Sequence, residues 1–441
     1  MFRLPCLSLH LVYAKFTVMT IEQLYQLYLQ HPSLSTDTRT VRSGDLYFAL
    51  KGPSFNGNRF ALQAIDRGAA YAVVDEAAYA TGDKMILVKD VLQTLQELAK
   101  HHRQTFTIPF IAITGSNGKT TTKELVHQAL SGTYKTYTTQ GNLNNQIGVP
   151  LTLLKIQRDA EMAVVEMGAN HLKEIESYCS YALPTHGIIT NCGKAHLEGF
   201  GSEENIRKGK GELFDFLRAH NGTVFAMWDY AYLQEMSQGI KTIRYGTAEG
   251  EVVGTAKQSD PFLEVEISQG PIIKTHLVGA YNLPNVLAAV AVGRHFLVED
   301  EVVKAAIEAY QPSNSRSQML EKESNKIVLD AYNANPSSMQ SAVENFARIH
   351  ADNKVVILGA MAELGDQSLQ EHQALVELLQ QHQWKKVALV GGDFLRVQHP
   401  YNSFPNAVVA AKWFREQHFT HTHVLIKGSR SMQMEKVLEF T

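Results

Sequence analysis

The stretch FIAITGSNGKTTTKELVHQAL, residues 110–130, constrains the fold of this 441-residue chain more than any other. An apolar run of β type, Phe110–Thr114, leads into a glycine-bounded turn ending in Gly118-Lys119-Thr120, and a helical pattern follows. A strand aims such a turn, the turn's backbone N–H groups encircle phosphate oxygens, and the helix presents its positive N-terminal end. Gly115, Ser116, Asn117, Gly118, Lys119, Thr120 and Thr121 are therefore the expected cradle of a nucleoside triphosphate such as ATP. Lys119 would supply a point charge to the outer phosphates and Thr120 a hydroxyl to Mg²⁺. The turn TGSNGKTT has two residues fewer between its glycines than the usual GxxxxGKT. It is a variant phosphate loop, and the variant narrows the use to which the phosphate is put.

A chain of this length is expected to hold about three domains. With 44% hydrophobic and 19% charged residues it can bury large cores, which argues against disorder. The net charge of −3 makes no electrostatic case for nucleic acid or an anionic membrane as main partner. Cys6, Cys179 and Cys192 are scattered, so neither a disulfide framework nor a structural zinc site is indicated, and a reducing, cytoplasmic compartment fits. Residues 1–18 loosely imitate a signal peptide but lack a clean small-residue cleavage site. They are read as an extension ahead of a helix that follows Met19. No other stretch approaches the length of a membrane span.

The rhythm of apolar runs gives an α/β chain in three domains. Residues 19–107 mix short helices with the strands DLYFAL, AAYAVVD and MILVKD, a small N-terminal α/β unit. Residues 108–311 alternate FIAIT, AVVEMG, GIITN and TVFAMW with helical segments, which implies a mostly parallel sheet covered on both faces. The pattern restarts in residues 312–441 with NKIVLDAY, KVVILGAM, KKVALVGGD and HVLIKGS, a Rossmann-like domain without GxGxxG.

Strand ends supply the remaining candidates. Glu166 closes AVVEMG, and His196 follows GIITN in the turn KAHLEGFGS; both should emerge at the carboxyl edge beside the phosphate loop. Taken alone, His196 is more often a hydrogen-bonded structural histidine, but a carboxylate and an imidazole together at strand ends beside a phosphate loop favour binding of a divalent metal. Lys208 and Lys210 follow in IRKGKGELFDF. They form either a solvated basic face or, since a cation beside a metal is disfavoured, a lysine that CO₂ has carbamylated into an anionic ligand. Only the neutral amine reacts with CO₂, and at an ordinary pKa roughly 1 lysine in 2,500 is neutral at pH 7, a cost of about 4.6 kcal/mol. Burial and neighbouring cations would have to lower that pKa. Asn142, Asn144 and Asn145 crowd the turn after the loop's helix and suit either plain turn chemistry or a polyhydroxylated or diphosphate-bearing substrate. In the cluster Ser313-Asn314-Ser315-Arg316 and LDAYNANPSS, Arg316 can reach a γ-phosphate and Asp330 a ribose hydroxyl.

Together these stretches resemble the Mur ligases, the ATP-dependent amide-bond-forming enzymes of peptidoglycan synthesis, from about Ser35 onward. The short loop TGSNGKTTT, the metal-binding segments VVEMGAN and ITNCGKAHLEGFGS, and the adenine-contacting GAYNLPNVLAAVAV carry the likeness. In the last of these Tyr281 stands where the family has His, while Asn282 and Asn285 are kept. Lys210 aligns with the family's carbamylated lysine, so Thr120, Glu166, His196 and Lys210 become the implied ligands of Mg²⁺, as two ions. The segments TDTRTVRSGDLYFALKGPSFNGNRF, TTQGNLNNQIGVPLTLL, DAYNANPSS, LGAMAELG and KGSR are most similar to the branch that adds D-alanyl-D-alanine to UDP-N-acetylmuramoyl-tripeptide. That resemblance implies substrate contacts at Ser35, Thr38, Arg39, Asn142, Asn144, Asn145, Tyr332, Asn333 and Asn335. FNGNRF departs from the family's DGHxF form at Asn56 and Asn58.

The implied enzyme is a monomer with an N-terminal uridine-nucleotide domain, a central ATPase domain and a C-terminal domain that brings the dipeptide. The implied chemistry is activation of the tripeptide carboxylate as an acyl phosphate, with Lys119, Lys210, His196 and Arg316 as the catalytic set. Two other readings stand beside it: another ligase of the superfamily, such as a folylpolyglutamate synthase, and an ATP-dependent switch with no amine acceptor.

Overall fold

The computed structural model describes residues 19–313 and 315–439; the extension over residues 1–18 and Asn314 of the polar cluster lie outside the described residues. Residues 19–106 with 153–155 form one compact unit, and residues 107–152 with 156–439 form another.

The first unit is built on a parallel sheet in the order Leu34–Ser35, Leu46–Phe48, Tyr71–Val74, Met85–Leu87. Tyr47, Ala49, Ala61, Ala64, Ala72 and Val74 make its core, the small residues allowing close packing of helix on sheet. Thr20 opens the helix Ile21–Gln30 with a capping box, and Asp90 caps Val91–Gln104 by accepting from the Gln93 N–H. Asn56 and Asn58 have a structural use here. Asn58 is fully buried, donating to Asp75 at 2.8 Å and accepting the Asp75 N–H at 3.0 Å, while Asn56 donates to Glu76 at 3.0 Å.

In the second unit, a nine-stranded sheet of the described residues runs Ile272–Lys274, Glu264–Ile267, Val252–Gln258, Lys241–Gly246, Thr223–Met227, His186–Ile189, Phe110–Thr114, Met162–Glu166, Thr136–Thr138. Neighbours from Val252–Gln258 onward are parallel, and the first two strands add on antiparallel. The continuous apolar runs read from the sequence are the central strands, because a strand covered on both faces needs apolar side chains on both. The antiparallel end was not legible that way: VVGTAKQ and EVEI keep charged residues on one open face.

Register sets the site. Ile113 lies opposite Glu166 and Thr114 opposite Ile189, so the phosphate loop, Glu166 and the segment from Thr190 to His196 leave the sheet along one edge. The loop's helix, Lys119–Ser131, packs against the apolar helix Leu283–His295.

The same unit carries a six-stranded sheet, Gln318–Lys322, Asn325–Asp330, His423–Lys427, Lys354–Gly359, Lys386–Val390, Asn402–Phe404, parallel except for its first strand. Ile327, Val355, Ile357, Val424 and Ile426 form its centre against Ala407, Ala410 and Phe414. No helix among the described residues is long and apolar enough to cross a membrane.

Candidate active site

The phosphate loop is braced from the neighbouring strand end. Ser116 N–H donates to the Asn191 carbonyl at 2.8 Å, Asn117 N–H to Asn191 Oδ1 at 3.1 Å, and Ser116 Oγ to the Gly193 carbonyl at 2.6 Å. Thr190 Oγ1 and Asn191 Nδ2 both donate to the Asn117 carbonyl, at 2.6 and 3.1 Å. Two glycines are required by this closeness. A Cβ on Gly115 (φ +140°) would stand 2.0 Å from Thr190 Oγ1, and one on Gly118 (φ +78°) would stand 2.7 Å from Asn285 Oδ1. Lys119 Nζ donates to the carbonyls of Gly115 at 2.7 Å and Ser116 at 3.2 Å. Burial holds its ammonium below the ordinary lysine value, with the charge of Glu166 opposing.

Glu166, 1% exposed, accepts from Thr120 Oγ1 at 2.9 Å and from Asn144 Nδ2 at 2.7 Å, and its own N–H donates to Thr139 Oγ1 at 3.0 Å. The buried Lys123 steadies that arrangement by donating to the Thr139 carbonyl at 2.5 Å. The hydrogen bonds to the Glu166 carboxylate come from neutral donors, and the charge it feels is that of the Lys119 ammonium.

Lys210 is also 1% exposed, in the middle of the helix Glu203–Ala219, and its amine donates to the Ala169 carbonyl at 2.7 Å. Burial, with Lys119 nearby, lowers its pKa to about 7. The solvated basic face is thereby excluded for Lys210, whereas Lys208 is exposed.

His196 adopts a left-handed backbone (φ +53°), and its Nδ1 pairs with Glu363 Oε2. Glu363 is itself left-handed (φ +61°), and the His196 contact holds its carboxyl below the usual range. The turn bearing Glu363 is pinned by the fully buried His372, whose Nε2 accepts the Met361 N–H at 3.1 Å while Nδ1 meets the Ser368 carbonyl at 2.7 Å. That fixes a neutral tautomer, and burial keeps the His372 pKa low.

From the C-terminal sheet, the Arg316 guanidinium lies 3.5 Å above the Tyr332 ring centre. Asp330 accepts from Lys427 Nζ at 2.5 Å and from the Ser317 N–H at 3.2 Å. Asn335 caps the helix Pro336–Arg348 and donates to Asn117 Oδ1 in the phosphate loop at 2.8 Å. One cavity of 1140 Å³ is lined by Lys119, Thr120, Asn144, Glu166, His196 and Asn285 together with Arg316, Asp330, Tyr332, Asn333 and Asn335.

Known proteins resemble this chain along almost its whole length. The models of the "Mur ligase family, catalytic domain", the "Mur ligase middle domain" and the "Mur ligase, glutamate ligase domain" match residues 32–103, 113–293 and 315–430. UDP-N-acetylmuramoyl-tripeptide--D-alanyl-D-alanine ligase of Bacillus subtilis is 31% identical over 92% of this chain and 92% of its own, and that of Escherichia coli is 32% identical over the same shares. The chain belongs to the Mur ligase family. Two solved structures, MurF from Acinetobacter baumannii and the MurF ligase from Thermotoga maritima in complex with ADP, superpose with a TM-score of 0.84 each. They are 29% and 27% identical and cover 94% and 93% of this chain and 97% of theirs. A folylpolyglutamate synthase from Mycobacterium tuberculosis, 14% identical with a TM-score of 0.60 over 79% of this chain and 94% of its own, shares the fold alone.

Not every residue singled out in this Mur ligase meets at the cavity. Asn142 is exposed and does not line it; Asn145 does line it, but turns its Oδ1 to the N–H groups of Ile147 and Gly148 at 3.1 and 2.9 Å. Asn282 and Asn285 line the cavity but use their amides internally: Thr122 donates to Asn285, Asn285 to Asn282, and Asn282 to the Val278 carbonyl. They brace the loop's helix. Tyr281, in place of the family's His, meets Ser317 Oγ at 3.0 Å. In the first unit, Ser35 donates to the Asp37 carbonyl at 2.9 Å, Thr38 opens the short turn capped by Asp37, and Arg39 forms a two-pronged pair with Asp37.

Sequence reading missed Asn191, Glu363 and Lys427 as site residues. Asn191 and Lys427 end apolar strands beside residues already singled out, which is the signal that could have found them. Glu363 lies in LGAMAELG, just past the apolar run KVVILGAM, but nothing in the sequence marks it as the partner of His196, because that meeting depends on two distant turns.

Proposed function

We infer that this chain is an ATP-dependent ligase that joins D-alanyl-D-alanine to UDP-N-acetylmuramoyl-tripeptide, giving the pentapeptide precursor of peptidoglycan, ADP and phosphate. The observation that carries this reading is the single cavity in which the phosphate loop and the Asp330–Asn335 turn face one another. A switch protein needs the first and, beyond the nucleoside contact proposed for Asp330, has no use for the second. The domain limits 19–107, 108–311 and 312–441, a cytoplasmic setting and action as a monomer complete the reading, the limits being supported by the three larger sheets, of four, nine and six strands, and by three family matches.

A carboxylate does not condense with an amine unaided, because its leaving group would be oxide. In the proposed reaction the tripeptide carboxylate attacks the γ-phosphorus of ATP, a Pγ–O bond forms, and the bond to ADP breaks. Lys119 and Arg316 neutralise the oxygens that gain charge. The dipeptide amine then attacks the acyl carbon of the acyl phosphate, loses its proton, and phosphate leaves with the C–O bond. Each donor aimed at the tetrahedral oxyanion contributes about 3 to 4 kcal/mol. Water competes for the acyl phosphate, so contacts that close the C-terminal sheet region over the loop, such as Asn335 on Asn117, should precede amine attack.

The residues fit a divalent cation. Glu166 offers a buried anionic oxygen beside the Thr120 hydroxyl, and hard oxygen donors suit Mg²⁺. Among the described residues no three of His, Cys, Asp and Glu converge into a cage; Mg²⁺ characteristically takes one or two carboxylates together with substrate phosphates. Thr120, Glu166, His196 and a carbamylated Lys210 would hold two such ions, which when bound supply charge neutralisation at the phosphate oxygens. The carbamate is supported by the Lys210 amine itself: burial and the nearby Lys119 lower its pKa toward neutrality and so favour the neutral form that takes up CO₂. Asp330 and the Asn282–Asn285 pair would flank the nucleoside. Ser35, Thr38 and Arg39 would meet the uridine diphosphate, and Asn144, Asn145, Tyr332, Asn333 and Asn335, which line the cavity, other parts of the substrates; Asn142, outside that lining, is left without a contact.

Mass spectrometry of the sugar-nucleotide product tests the reading. A gain equal to one dipeptide less water, dependent on ATP, is expected; a folate or other acceptor extended in preference would overturn it.

A further inference from the structure

Lys194 sits between the loop-bracing Asn191 and the cavity residue His196, yet the chemistry proposed above leaves it unused. Its Nζ donates to Glu371 Oε1 at 2.8 Å and lies 3.9 Å from Glu203 Oε1. Glu371 belongs to the first turn of the helix Ser368–Gln380, next to the His372 that pins the Glu363 turn. Glu203 opens the helix that carries Lys210. One ammonium thus ties together the segment bearing His196, the start of the Lys210 helix and the helix behind Glu363.

An exposed ion pair would matter little. Here the Glu371 side chain is only 9% exposed, so loss of its partner leaves a charge nearly out of water. Neighbouring contacts share the same seam: Glu198 N–H donates to the Glu363 carbonyl at 3.0 Å, and a Cβ on Gly193 would stand 2.7 Å from Ser337 Oγ. Neither Lys194 nor Glu371 lines the cavity, so any effect on the reaction passes through the residues they hold.

We propose that Lys194 and Glu371 are positioning residues, an ionic clasp that holds the segment 191–201 against the Ser368–Gln380 helix and keeps the C-terminal sheet region seated over the phosphate loop while the amine attacks. The inference rests on the ligase reading for its consequence, and on the contacts alone for the clasp.

The test has two readouts. Hydrogen exchange at the Glu198 amide should quicken in Lys194→Met and in Glu371→Gln and stay slow in Lys194→Arg, which keeps the charge. In steady-state assays the first two variants should lose about tenfold in kcat/KM for the dipeptide, with more ADP released per peptide bond and an unchanged KM for ATP. The double variant should lose no more than either single one, because both act on one contact. Parental exchange and coupling in Lys194→Met, or losses that add in the double variant, would overturn the clasp. If the parent made no peptide bond the ligase reading would fall, while exchange at Glu198 would still decide the clasp.

Discussion

At the scale of single residues, Lys210 and His196 are the informative pair. A lysine amine in the middle of a helix, nine-tenths or more out of water and hydrogen-bonded only to a carbonyl, is costly to keep charged. Its pKa near 7 removes most of the penalty that an ordinary lysine faces in forming a carbamate. Lys210→Ala is expected to lower turnover roughly a hundredfold, the scale of losing one group that stabilises transition-state charge. Short carboxylates such as formate or acetate should partly restore it by standing in for the carbamate. Indifference to both changes would return Lys210 to a purely structural role. His196→Ala should raise the Mg²⁺ concentration needed for half-maximal activity, and an unchanged metal titration would leave the histidine as no more than the partner of Glu363.

At the scale of elements, the shortened phosphate loop works because the next strand's end is its scaffold. Gly115→Ala drives a Cβ to within 2.0 Å of Thr190 Oγ1 at a φ of +140°, a conformation that costs a side chain about 1–3 kcal/mol. Nucleotide affinity should fall more than tenfold by calorimetry, with the far-UV circular dichroism unchanged; parental affinity would show that Thr190 and Asn191 do not shape the loop. What the sequence shows and hides follows the same line. FIAIT, AVVEM and GIIT are legible because buried parallel strands are apolar on both faces, and their ends mark Lys119, Glu166 and His196 by position. The bracing of Asn117 by Asn191 and the pairing of His196 with Glu363 join residues 74 and 167 positions apart, and no periodicity encodes them. Asn282 and Asn285 were legible as residues of the site but not as the brace they form under the loop's helix.

At the scale of the whole molecule, stability and chemistry are placed at opposite edges of the large sheet. His186 begins the strand whose far end bears the site, and it is packed among Phe225, His295 and Phe296. Burial, with His295 and Lys241 nearby, lowers its pKa to about 4, and burial lowers His295 as well. An unfolded histidine titrates near 6.5, so between about pH 6.5 and 4 the unfolded chain binds the extra protons and folding weakens as pH falls. The melting temperature should therefore decline through that window, and His186→Phe should flatten the decline; an equally steep one in the variant would assign it to other groups.

The central claim is that the phosphate loop activates a carboxylate for peptide-bond formation. Oxygen transfer reads that step directly. With the acceptor carboxylate of the UDP-muramoyl-tripeptide labelled with ¹⁸O, and with ATP and D-alanyl-D-alanine present, the released phosphate should carry one labelled oxygen for each peptide bond made. Phosphate free of label, or ADP released at the same rate without the dipeptide, would contradict the account.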